Sequence, residues 1–417
     1  MPLALLHRGL RPSLNHRRWL PATPAELQRG YDVVIIGGGG HGLAIAYYLA
    51  SQHGIKNTAV LEKGYLGGGN TARNTAIVRS NYLTPPSIRF YSRSVELFRE
   101  LSNKLGLNIM YSERGHLTLA HSDAAVRTAR WRAEANKELG IDSEFVDCDG
   151  LSYLCPELNF SQEVRHPILG ALYHPPGAIA RHDAMAWGYA AAAGSKGVDI
   201  HQGTEVTGIT ISNNKAISIK TNRGTVACGT VVQAVAGSSS LVAAMADLKL
   251  PIRTIPLQAC VSQPVKRFLD PIIVSGSLHV YISQSARGEF VIGGAVDPYG
   301  LYSQRSTLDF LEHTISNVLE LLPALAQARV MRQWAGITDM TPDFSPVMGK
   351  TPIENYYLDA GWGTWGFKAT PVVGETMAEL VATGRTPGLI KAFDLGRFHR
   401  FEQLGERAAA SVGLGGV

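Results

Sequence analysis

Three glycines near the start of the chain stand where a phosphate-binding turn would need them. Gly37, Gly39 and Gly42 follow a run of β-branched residues in the stretch YDVVIIGGGGHGLAIAYYLAS, which begins at Tyr31. This spacing allows a tight strand-to-helix turn, a close approach of backbone to a pyrophosphate, and close packing of helix on sheet. A second apolar run ends at Glu62, where a carboxylate can accept hydrogen bonds from ribose hydroxyls. Although the chain has 44 glycines, this order predicts a dinucleotide-binding βαβ unit rather than a chance glycine-rich loop.

A second glycine-rich loop lies near the other end of the chain. The segment NYYLDAGWGTWGFKATPVVGETMAEL predicts a strand, a glycine-rich loop and a helix that begins near Pro371. The backbone N–H groups at the start of that helix would again face a ligand. Two segments between these loops mix short strands with helices and interrupt the nucleotide-binding pattern. The arrangement favours an FAD-binding domain interrupted twice by a substrate domain.

The predicted fold is mixed α/β, with a Rossmann-like FAD-binding domain and a β-sheet substrate domain. We expect the FAD-binding domain to comprise residues 31–110, 166–250 and 336–390, and the substrate domain to comprise residues 111–165 and 251–335. Residues 1–30 form a basic arm, and residues 391–417 form a C-terminal segment. Smaller features follow from periodicity and turn residues: hairpin turns at Asn213-Asn214 and Arg223-Gly224, strands over 279–284 and 290–294, a helix that ends at Gly106, a charged helix over 127–139, and a helix with apolar residues from Leu308 to Leu322.

Charge and composition exclude several classes of protein. Apolar residues make up 45% of the 417 residues, enough for a large core and two domains. The basic arm carries a net charge of +4 out of the formal +5 of the whole chain, so the remainder is nearly neutral. We therefore expect a solvated tail or a docking arm for a partner subunit, and no binding of nucleic acid.

The cysteines and the hydropathy pattern indicate a cellular compartment. The four cysteines have neither CxxC spacing nor a paired histidine pattern, so we expect no zinc or other metal site and no disulfide framework; they are Cys148, Cys155, Cys228 and Cys260. No apolar run is long enough to span a membrane, and the first 30 residues lack the pattern of a secretory signal. The sequence predicts a reduced, cytoplasmic protein that binds no membrane.

Polar residues elsewhere could complete a ligand site. After Gly67–Gly69, the side chains of Asn70, Arg73 and Asn74 could donate to phosphate and ribityl oxygens. The alternative is an ordinary polar loop with a surface arginine. His182, in GAIARHD, would without further context be a surface or satisfied histidine.

Two cations and a tyrosine have ordinary interpretations on the sequence alone. Arg79, in IVRSNY, would without further context be a surface or ion-paired strand arginine, and Lys368, in GFK, would be a solvated lysine. Tyr281 would have a packing role.

These motifs give the chain a resemblance to the beta subunits of heterotetrameric sarcosine oxidases, within the D-amino-acid-oxidase-like flavoproteins. The resemblance extends from Tyr31 to the C-terminal segment and is carried by GGGGHGLA (37–44), GGGNTARNTAIVRSNY (67–82), GAIARHD (177–183) and GWGTWGFK (361–368). It implies an FAD-binding domain of the D-amino-acid-oxidase/glutathione-reductase type. It also implies oxidation of sarcosine at FAD, transfer of electrons to a covalent FMN and then to O2, and formation of H2O2. The implied partners are alpha, gamma and delta subunits.

The resemblance also assigns residues. For FAD it implies Gly37, Gly39, Gly40, His41, Gly42, Glu62, Lys63, Asn70, Arg73, Asn74, Val206, Gly363, Gly366 and Lys368. For FMN it implies a covalent bond from a ring nitrogen of His182 to the flavin 8α-methyl carbon, with Arg79, Arg181 and Arg332 nearby; the family usually has lysine at position 181. For the substrate side of the flavin it implies Arg79, Lys368 and Tyr281. A substrate carboxylate must be fixed so that the reacting C–H bond points at the flavin, and the two cations would do this if they are buried. Gly336 stands where monomeric sarcosine oxidases have a cysteine that tethers FAD, so a non-covalent FAD is expected.

Two other functions stay open at this point. The chain could be a self-contained FAD dehydrogenase of another secondary amino acid, such as a hydroxyproline, without FMN. It could also be a non-catalytic flavoprotein that acts in assembly. The GAIARHD segment favours the sarcosine oxidase function, and the presence of both Arg79 and Lys368 counts against a non-catalytic one. The bulky Trp365 beside the GFK loop could narrow the pocket, so the choice of substrate stays open.

Overall fold

The computed structural model describes residues 26–297 and 299–406. Residues 1–25 of the predicted basic arm and residues 407–417 of the predicted C-terminal segment lie outside the described residues. The strands, numbered in chain order, are β1 (Gly30–Ile36), β2 (Thr58–Leu61), β3 (Ile77–Val78), β4 (Ser112–Glu113), β5 (His116–Ala120), β6 (Glu144–Val146), β7 (Gly170–His174), β8 (Ala178–Ile179), β9 (Asp199–His201), β10 (Val206–Ser212), β11 (Lys215–Thr221), β12 (Gly224–Gln233), β13 (Arg253–Ser262), β14 (Ile272–Ser275), β15 (Val280–Gln284), β16 (Phe290–Val296), β17 (Val330–Met340), β18 (Val347–Lys350) and β19 (Tyr356–Ala360).

Helices cover the sheets and join them. The α-helices are α1 (Gly40–Gln52), α2 (Pro85–Leu105), α3 (Asp123–Glu138), α4 (Cys148–Leu154), α5 (His182–Ser195), α6 (Ser239–Ala244), α7 (Leu308–Leu321) and α8 (Gly366–Thr383). Short 3-10 turns are Asn70–Arg73, Ala236–Ser238, Pro323–Gln327, Lys391–Phe393 and Leu395–Phe398. Along the described part of the chain, no helix combines the length and the apolar character needed to cross a bilayer.

The predicted βαβ unit is formed by β1, α1 and β2. Strands β1 and β2 are parallel, with Val33 opposite Thr58. Gly37 has a φ of 111°, a conformation that favours glycine. A Cβ atom on Gly42 would lie 2.0 Å from the carbonyl oxygen of Gly37, so only glycine lets the helix approach the turn this closely. The sequence prediction of this unit is confirmed.

The βαβ unit belongs to the first of two large sheets. Its main strand order is β10-β11-β12-β1-β2-β9, and β19 pairs with β12 and β18. Strands β9 to β12 therefore belong to the same sheet as β1 and β2, in agreement with the predicted FAD-binding range 166–250. The turn at Asn213-Asn214 is confirmed, because φ is 48° and 59° at these residues, as a tight hairpin requires. Gly224 is already the first residue of β12.

The second large sheet combines strands from both predicted insertions. Its order is β17-β13-β16-β15-β14-β5-β7-β6, and a small third sheet joins β3, β8 and β4. The predicted domain boundaries stay a prediction. Strand β7 and the end of β17, up to Met340, lie on this second sheet although the predicted boundaries assign both to the FAD-binding domain.

Helix α8 packs on α1 through small residues. A Cβ atom on Gly374 would lie 2.7 Å from both the Cβ of Ala44 and the Cδ2 of Tyr48. The predicted start of this helix near Pro371 is wrong, because α8 begins at Gly366 and contains the proline. Proline is tolerated there because, close to the N-terminus, it removes only the hydrogen bond to the carbonyl of Phe367. The helix therefore begins earlier in the chain than predicted, directly after Trp365.

The other predicted helices are confirmed, with small shifts at their ends. Helix α2 ends at Leu105 and is followed by Gly106 with a φ of 62°, the expected glycine stop. Helix α3 starts at Asp123, four residues before the predicted charged helix, because Ser122 accepts a hydrogen bond from the N–H of Ala125 and caps it.

A buried ion pair fastens the end of the described chain to the segment after β17. Arg397 donates from Nε to Oδ2 of Asp343 over 2.8 Å and from Nη2 to Oδ1 over 3.0 Å. Both side chains are 1% exposed. The guanidinium also donates to the carbonyl oxygens of Phe393 and Ser345. This pair holds the last 3-10 turns against the first sheet.

Replacing Arg397 with methionine should destabilise the fold strongly. The substitution leaves the buried carboxylate of Asp343 unpaired, which we expect to cost about 3–5 kcal/mol of the free energy of unfolding. Urea denaturation measures the loss. Arg400→Met is the matched control, because Arg400 pairs with Asp394 and Glu402 at the surface and its loss should have little effect. Equal losses in the two variants would contradict the prediction.

Candidate functional site

A cavity of about 360 Å³ is lined by residues of both large sheets. This volume is in the range of small-molecule and cofactor sites. Most of the predicted site residues line it: Gly37, Gly39, Gly40, His41, Glu62, Lys63, Asn70, Arg73, Asn74, Arg79, Val206, Tyr281, Gly363, Gly366 and Lys368. Four predicted residues do not line this cavity, namely Gly42, Arg181, His182 and Arg332. Gly42 serves the packing of α1, as described above.

Two helix N-termini line the cavity. The N-cap residues, Gly39 of α1 and Trp365 of α8, make no side-chain hydrogen bond to their own helices. The N–H of Gly40 donates to Oγ1 of Thr71 over 3.0 Å, and a side chain on Gly69 would meet open space. The positive ends of two helices favour anionic or carbonyl groups of a ligand. This glycine cradle fits the pyrophosphate and the flavin ring of FAD.

Glu62 is held at the end of β2 by two backbone amides. Its Oε2 accepts from the N–H of Gly38 and its Oε1 accepts from the N–H of Gly64, each over 2.8 Å. A carboxylate can accept about four hydrogen bonds, so both oxygens keep capacity for further donors. The arrangement fits a ribose whose two hydroxyls donate to Glu62.

The predicted polar side chains after Glu62 are largely engaged within the protein. Asn70 donates from Nδ2 to the carbonyl of Ile337 over 2.6 Å and accepts from the N–H of Ile337 over 2.9 Å. Arg73 donates from Nη1 to the carbonyl oxygens of Gly68 and Gly69. Oδ1 of Asn74 accepts from the N–H of Ala76 over 2.5 Å. These side chains shape the loop, so fewer of their donors remain for a ligand than the sequence predicts.

His41 connects the two glycine-rich loops. Its Nδ1 lies 2.8 Å from Oδ2 of Asp359, and its Nε2 lies 2.7 Å from the carbonyl oxygen of Gly366. Both partners only accept, so both ring nitrogens must donate and the imidazole is protonated. Burial is the largest single influence and lowers the pKa of His41, but Asp359, the carbonyl of Gly366 and the charge of Asp339 together raise it above its usual value. Trp362 donates from Nε1 to the other oxygen of Asp359 over 2.7 Å.

A second buried acid lies beside this pair. Oδ2 of Asp339 accepts from the N–H of Gly361 over 2.7 Å. Burial raises the pKa of Asp339 to about 7. Both Asp339 and Asp359 line the cavity, and sequence reasoning missed both. The position of Asp359, directly after the apolar strand residues YYL and before a glycine loop, is the signal that could have identified it.

Arg79 and Lys368 lie buried at one part of the cavity. Arg79 is 6% exposed and donates from Nη1 to the backbone oxygen of Asn81 over 3.0 Å and to its Oδ1 over 2.9 Å. Lys368 is 7% exposed, in the first turn of α8. Burial, and next the charge of Arg79, lowers the pKa of Lys368 well below its usual value. An arriving carboxylate would offset both effects and favour the ammonium form.

Tyr281 belongs to the wall formed by the second sheet. It stands opposite Gly293 of β16, where a Cβ atom would lie 1.8 Å from Cζ of the tyrosine. Burial raises the pKa of Tyr281, so it is a neutral phenol. His116 and Thr118 of β5 also line this wall. Sequence reasoning missed His116, because no motif surrounds it.

The residues predicted for FMN lie outside the cavity but beside it. His182 begins α5, and Arg332 is exposed on β17 at the edge of the second sheet. Helix α5 and strand β17 both contact the 3-10 turn Asn70–Arg73, whose residues line the cavity. The FMN candidates are thus on elements that flank one turn of the FAD candidate site.

The chemistry of His182 fits nucleophilic attack by a ring nitrogen. Its Nδ1 is buried and has no hydrogen-bond partner among residues 26–297 and 299–406. Burial, with Arg181 acting in the same direction and Asp183 against it, lowers the pKa of His182. The ring is therefore neutral, the form that carries a free lone pair. Arg181 is engaged by Asp183 in an ion pair.

Metal chemistry has no candidate in the part of the chain that the structure describes. No group of three or more His, Cys, Asp or Glu side chains there could hold a metal ion. The four cysteines are free thiols, and none of them lines the cavity. Gly336 does line it.

Comparison with known proteins identifies a family and near relatives. The family described as FAD dependent oxidoreductase matches residues 32–380. The chain is 45% identical to the sarcosine oxidase subunit beta of Arthrobacter sp, over 95% of this chain and 98% of that protein. It is 46% identical to the sarcosine oxidase subunit beta of Rhizobium meliloti (strain 1021), over 95% of each. Among solved structures, L-proline dehydrogenase from P. horikoshii matches with a TM-score of 0.84 and 30% identity, over 91% of this chain and all of that one.

Replacing Glu62 with glutamine should weaken the binding of FAD. The amide loses the charge that strengthens hydrogen bonds from ribose hydroxyls, which are worth about 1.5–3 kcal/mol, so the Kd should rise roughly 10- to 100-fold. Titration of the apoprotein with FAD measures the change. Glu205→Gln is the matched control, because Glu205 also lines the cavity but is exposed and should leave the Kd nearly unchanged. An unchanged Kd in Glu62→Gln would contradict the assignment.

Proposed function

Because the chain belongs to the family of FAD dependent oxidoreductases, we propose that it oxidises sarcosine as the beta subunit of a heterotetrameric sarcosine oxidase. It is an FAD-dependent amine oxidoreductase, homologous to the beta subunits of sarcosine oxidases. One observation carries the proposal: a dinucleotide cradle and two buried cations, Arg79 and Lys368, line the same cavity. Such a cavity can hold a flavin and an amino-acid carboxylate side by side.

The two cations would orient the substrate. A carboxylate bound between Arg79 and Lys368 fixes one end of a small amino acid, and its reacting carbon is then held by the cavity walls. When bound, FAD would accept an electron pair from the amine, and FMN would receive this pair from FAD and pass it to O2, giving H2O2. Trp365 is 4% exposed and lines the cavity, with its ring 5.3 Å from that of Tyr82. The bulky ring of Trp365 would narrow the cavity and favour a small substrate.

The covalent FMN is the second part of the proposal. His182 would form the bond, since its neutral ring has a buried nitrogen with no partner in the described residues. Arg332, exposed on β17, and Arg181 would supply positive charge to the phosphate. Arg181 already pairs with Asp183, so its share of that charge is reduced.

The exposed edge of the second sheet supports the proposed subunit partners. Val330 and Met331 are 37% and 65% exposed beside Arg332, on an edge strand. Exposed apolar residues on an unpaired strand edge suit a protein interface. We propose that alpha, gamma and delta subunits assemble with this chain and that one of them covers this edge. A cytoplasmic location is also part of the proposal, supported by four free thiols.

A self-contained dehydrogenase of another secondary amino acid is the second candidate. The similarity to L-proline dehydrogenase favours it, because proline is also a secondary amine. The same cavity would serve, with a hydroxyproline or a similar substrate in place of sarcosine. The two candidates differ at His182, which has no cofactor role in the second. A non-catalytic role in assembly is not supported, since both cations are buried in the cavity.

Replacing His182 with alanine should abolish the covalent flavin. In the wild-type complex, acid precipitation should leave one flavin on this chain and release FAD, whereas the variant should release all its flavin. Peptide mapping and absorbance of the precipitate measure this. His53→Ala is a control, because His53 follows α1 and does not line the cavity. A covalent flavin that persists in His182→Ala would refute the assignment, and a wild type without one would favour the self-contained dehydrogenase.

Removing either buried cation should slow the reduction of FAD by sarcosine. Arg79→Ala or Lys368→Met leaves the substrate carboxylate partly unpaired, which we expect to cost about 2–5 kcal/mol in transition-state binding. Anaerobic stopped-flow absorbance measures the reduction, and both variants should also bind methylthioacetate more weakly. Arg99→Ala is the control, because Arg99 is paired with Glu113 at the surface.

The reoxidation step separates two roles of Lys368. If this lysine binds the carboxylate, Lys368→Met should slow reduction far more than reoxidation by O2. Normal reduction with slow reoxidation would contradict the proposal and would assign Lys368 to the reaction with oxygen. Reduction of the wild type by a hydroxyproline but not by sarcosine would favour the second candidate function.

A further inference from the structure

His116 forms part of the cavity wall without any role in the function proposed so far. It is the first residue of β5, and with Thr118 it projects from the same face of this strand into the cavity wall. In register, His116 stands opposite Ile272 of β14 and His174 of β7. A Cβ atom on Gly177 would lie 2.4 Å from the Cβ of His116, so the neighbouring turn presses against the histidine and fixes its position.

A ring nitrogen of His116 lacks the partner that buried polar groups normally have. The side chain is 2% exposed, yet Nδ1 makes no hydrogen bond within residues 26–297 and 299–406. The adjacent His174 is different: its Nδ1 lies 2.7 Å from the carbonyl oxygen of Asp142, and its Nε2 accepts from the N–H of Ser80 over 3.3 Å. His174 is satisfied by the protein, whereas His116 needs a ligand to satisfy it.

Burial and the charges around His116 keep its ring neutral. The side chains with the largest electrostatic influence on it are Arg79, His174, Lys368 and Arg132, and all four act to lower its pKa. Burial, and then these neighbours, lowers the pKa of His116 well below its usual value. A neutral imidazole has one nitrogen that donates and one that only accepts. The cavity wall therefore offers an acceptor close to two cationic side chains.

We propose that His116 accepts a hydrogen bond from the amino N–H of the substrate and so makes the site specific for amino acids that carry an N–H. This inference rests on the proposed oxidation of a secondary amino acid. The substrate carboxylate would pair with Arg79 and Lys368. The amino group is then the group of the substrate that can donate a hydrogen bond to the neutral ring of His116. A secondary amine such as sarcosine keeps one N–H in its neutral form. A tertiary amine such as N,N-dimethylglycine has none, so it would leave His116 unsatisfied.

The test compares these two substrates in the holoenzyme. Anaerobic reduction of FAD gives kcat/KM for sarcosine and for N,N-dimethylglycine in the wild type, His116→Leu and His116→Gln. We expect His116→Leu to reduce the preference for sarcosine about tenfold, as the loss of one hydrogen bond predicts. His116→Gln keeps an acceptor and should retain more of the preference. His174→Gln is the matched control and should keep it.

A ligand without an N–H separates a specific role from a structural one. Methylthioacetate has the carboxylate but no amino group, so its Kd should be the same in the wild type and in His116→Leu. An equal loss for both amines and for methylthioacetate would overturn the inference. A wild type that oxidises both amines equally well would also overturn it, even if His116→Leu does not fold.

Failure of the proposed function can be distinguished from failure of the inference about His116. If sarcosine does not reduce FAD in the wild type, the sarcosine proposal fails, and proline with N-methylproline replaces the pair of substrates. A preference for proline that His116→Leu removes would still support the inference. A preference that both His116 variants leave unchanged would overturn it for either substrate.

Discussion

A protonated histidine joins the two ends of the cofactor cavity. His41 stands at the start of α1, and its two ring nitrogens bind Asp359 at the end of β19 and Gly366 at the start of α8. The glycine turn of the βαβ unit and the loop that leads to Lys368 are thereby held at a fixed separation. The buried charge is tolerated because Asp359 neutralises it and Trp362 in turn binds Asp359. Because His41, Asp359 and Gly366 all belong to regular elements, the contact ties together the helices and the strand that flank the two loops.

Two cationic side chains lie buried at another part of the cavity wall. Lys368 and Arg79 are both buried, and the charge of Arg79 adds to burial in disfavouring the charged form of Lys368. Such an arrangement costs stability in the free protein and favours the binding of an anion. The neutral ring of His116 adds an acceptor beside them. In the proposed function, affinity for the carboxylate and recognition of the amine would thus come from different side chains.

The sequence predicts those features that local patterns determine. The βαβ unit, the glycine stop at Gly106 and the Asn213-Asn214 turn could be predicted because each depends on residues close together in the chain. The start of α8 could not, since tertiary packing outweighs the usual preference of Pro371 for a first turn. Asn70 is hydrogen-bonded to Ile337, 267 residues away, so no local pattern could predict that its side chain is engaged within the protein. His116 has no motif, and only the pairing of β5 with β7 and β14 brings it to the wall.

The contact between α1 and α8 has a consequence for synthesis on the ribosome. Gly374 lets α8 pack directly on Ala44 of α1, yet these two residues are 330 positions apart in the chain (374 − 44). At about 5–20 residues per second, translation of this interval takes roughly 15–60 seconds. During that time the nascent chain has the first glycine turn but neither α8 nor the acid that pairs with His41. We therefore expect the cofactor to be incorporated late, because the face of α1 that packs on α8 stays uncovered until residues 366–383 have been synthesised.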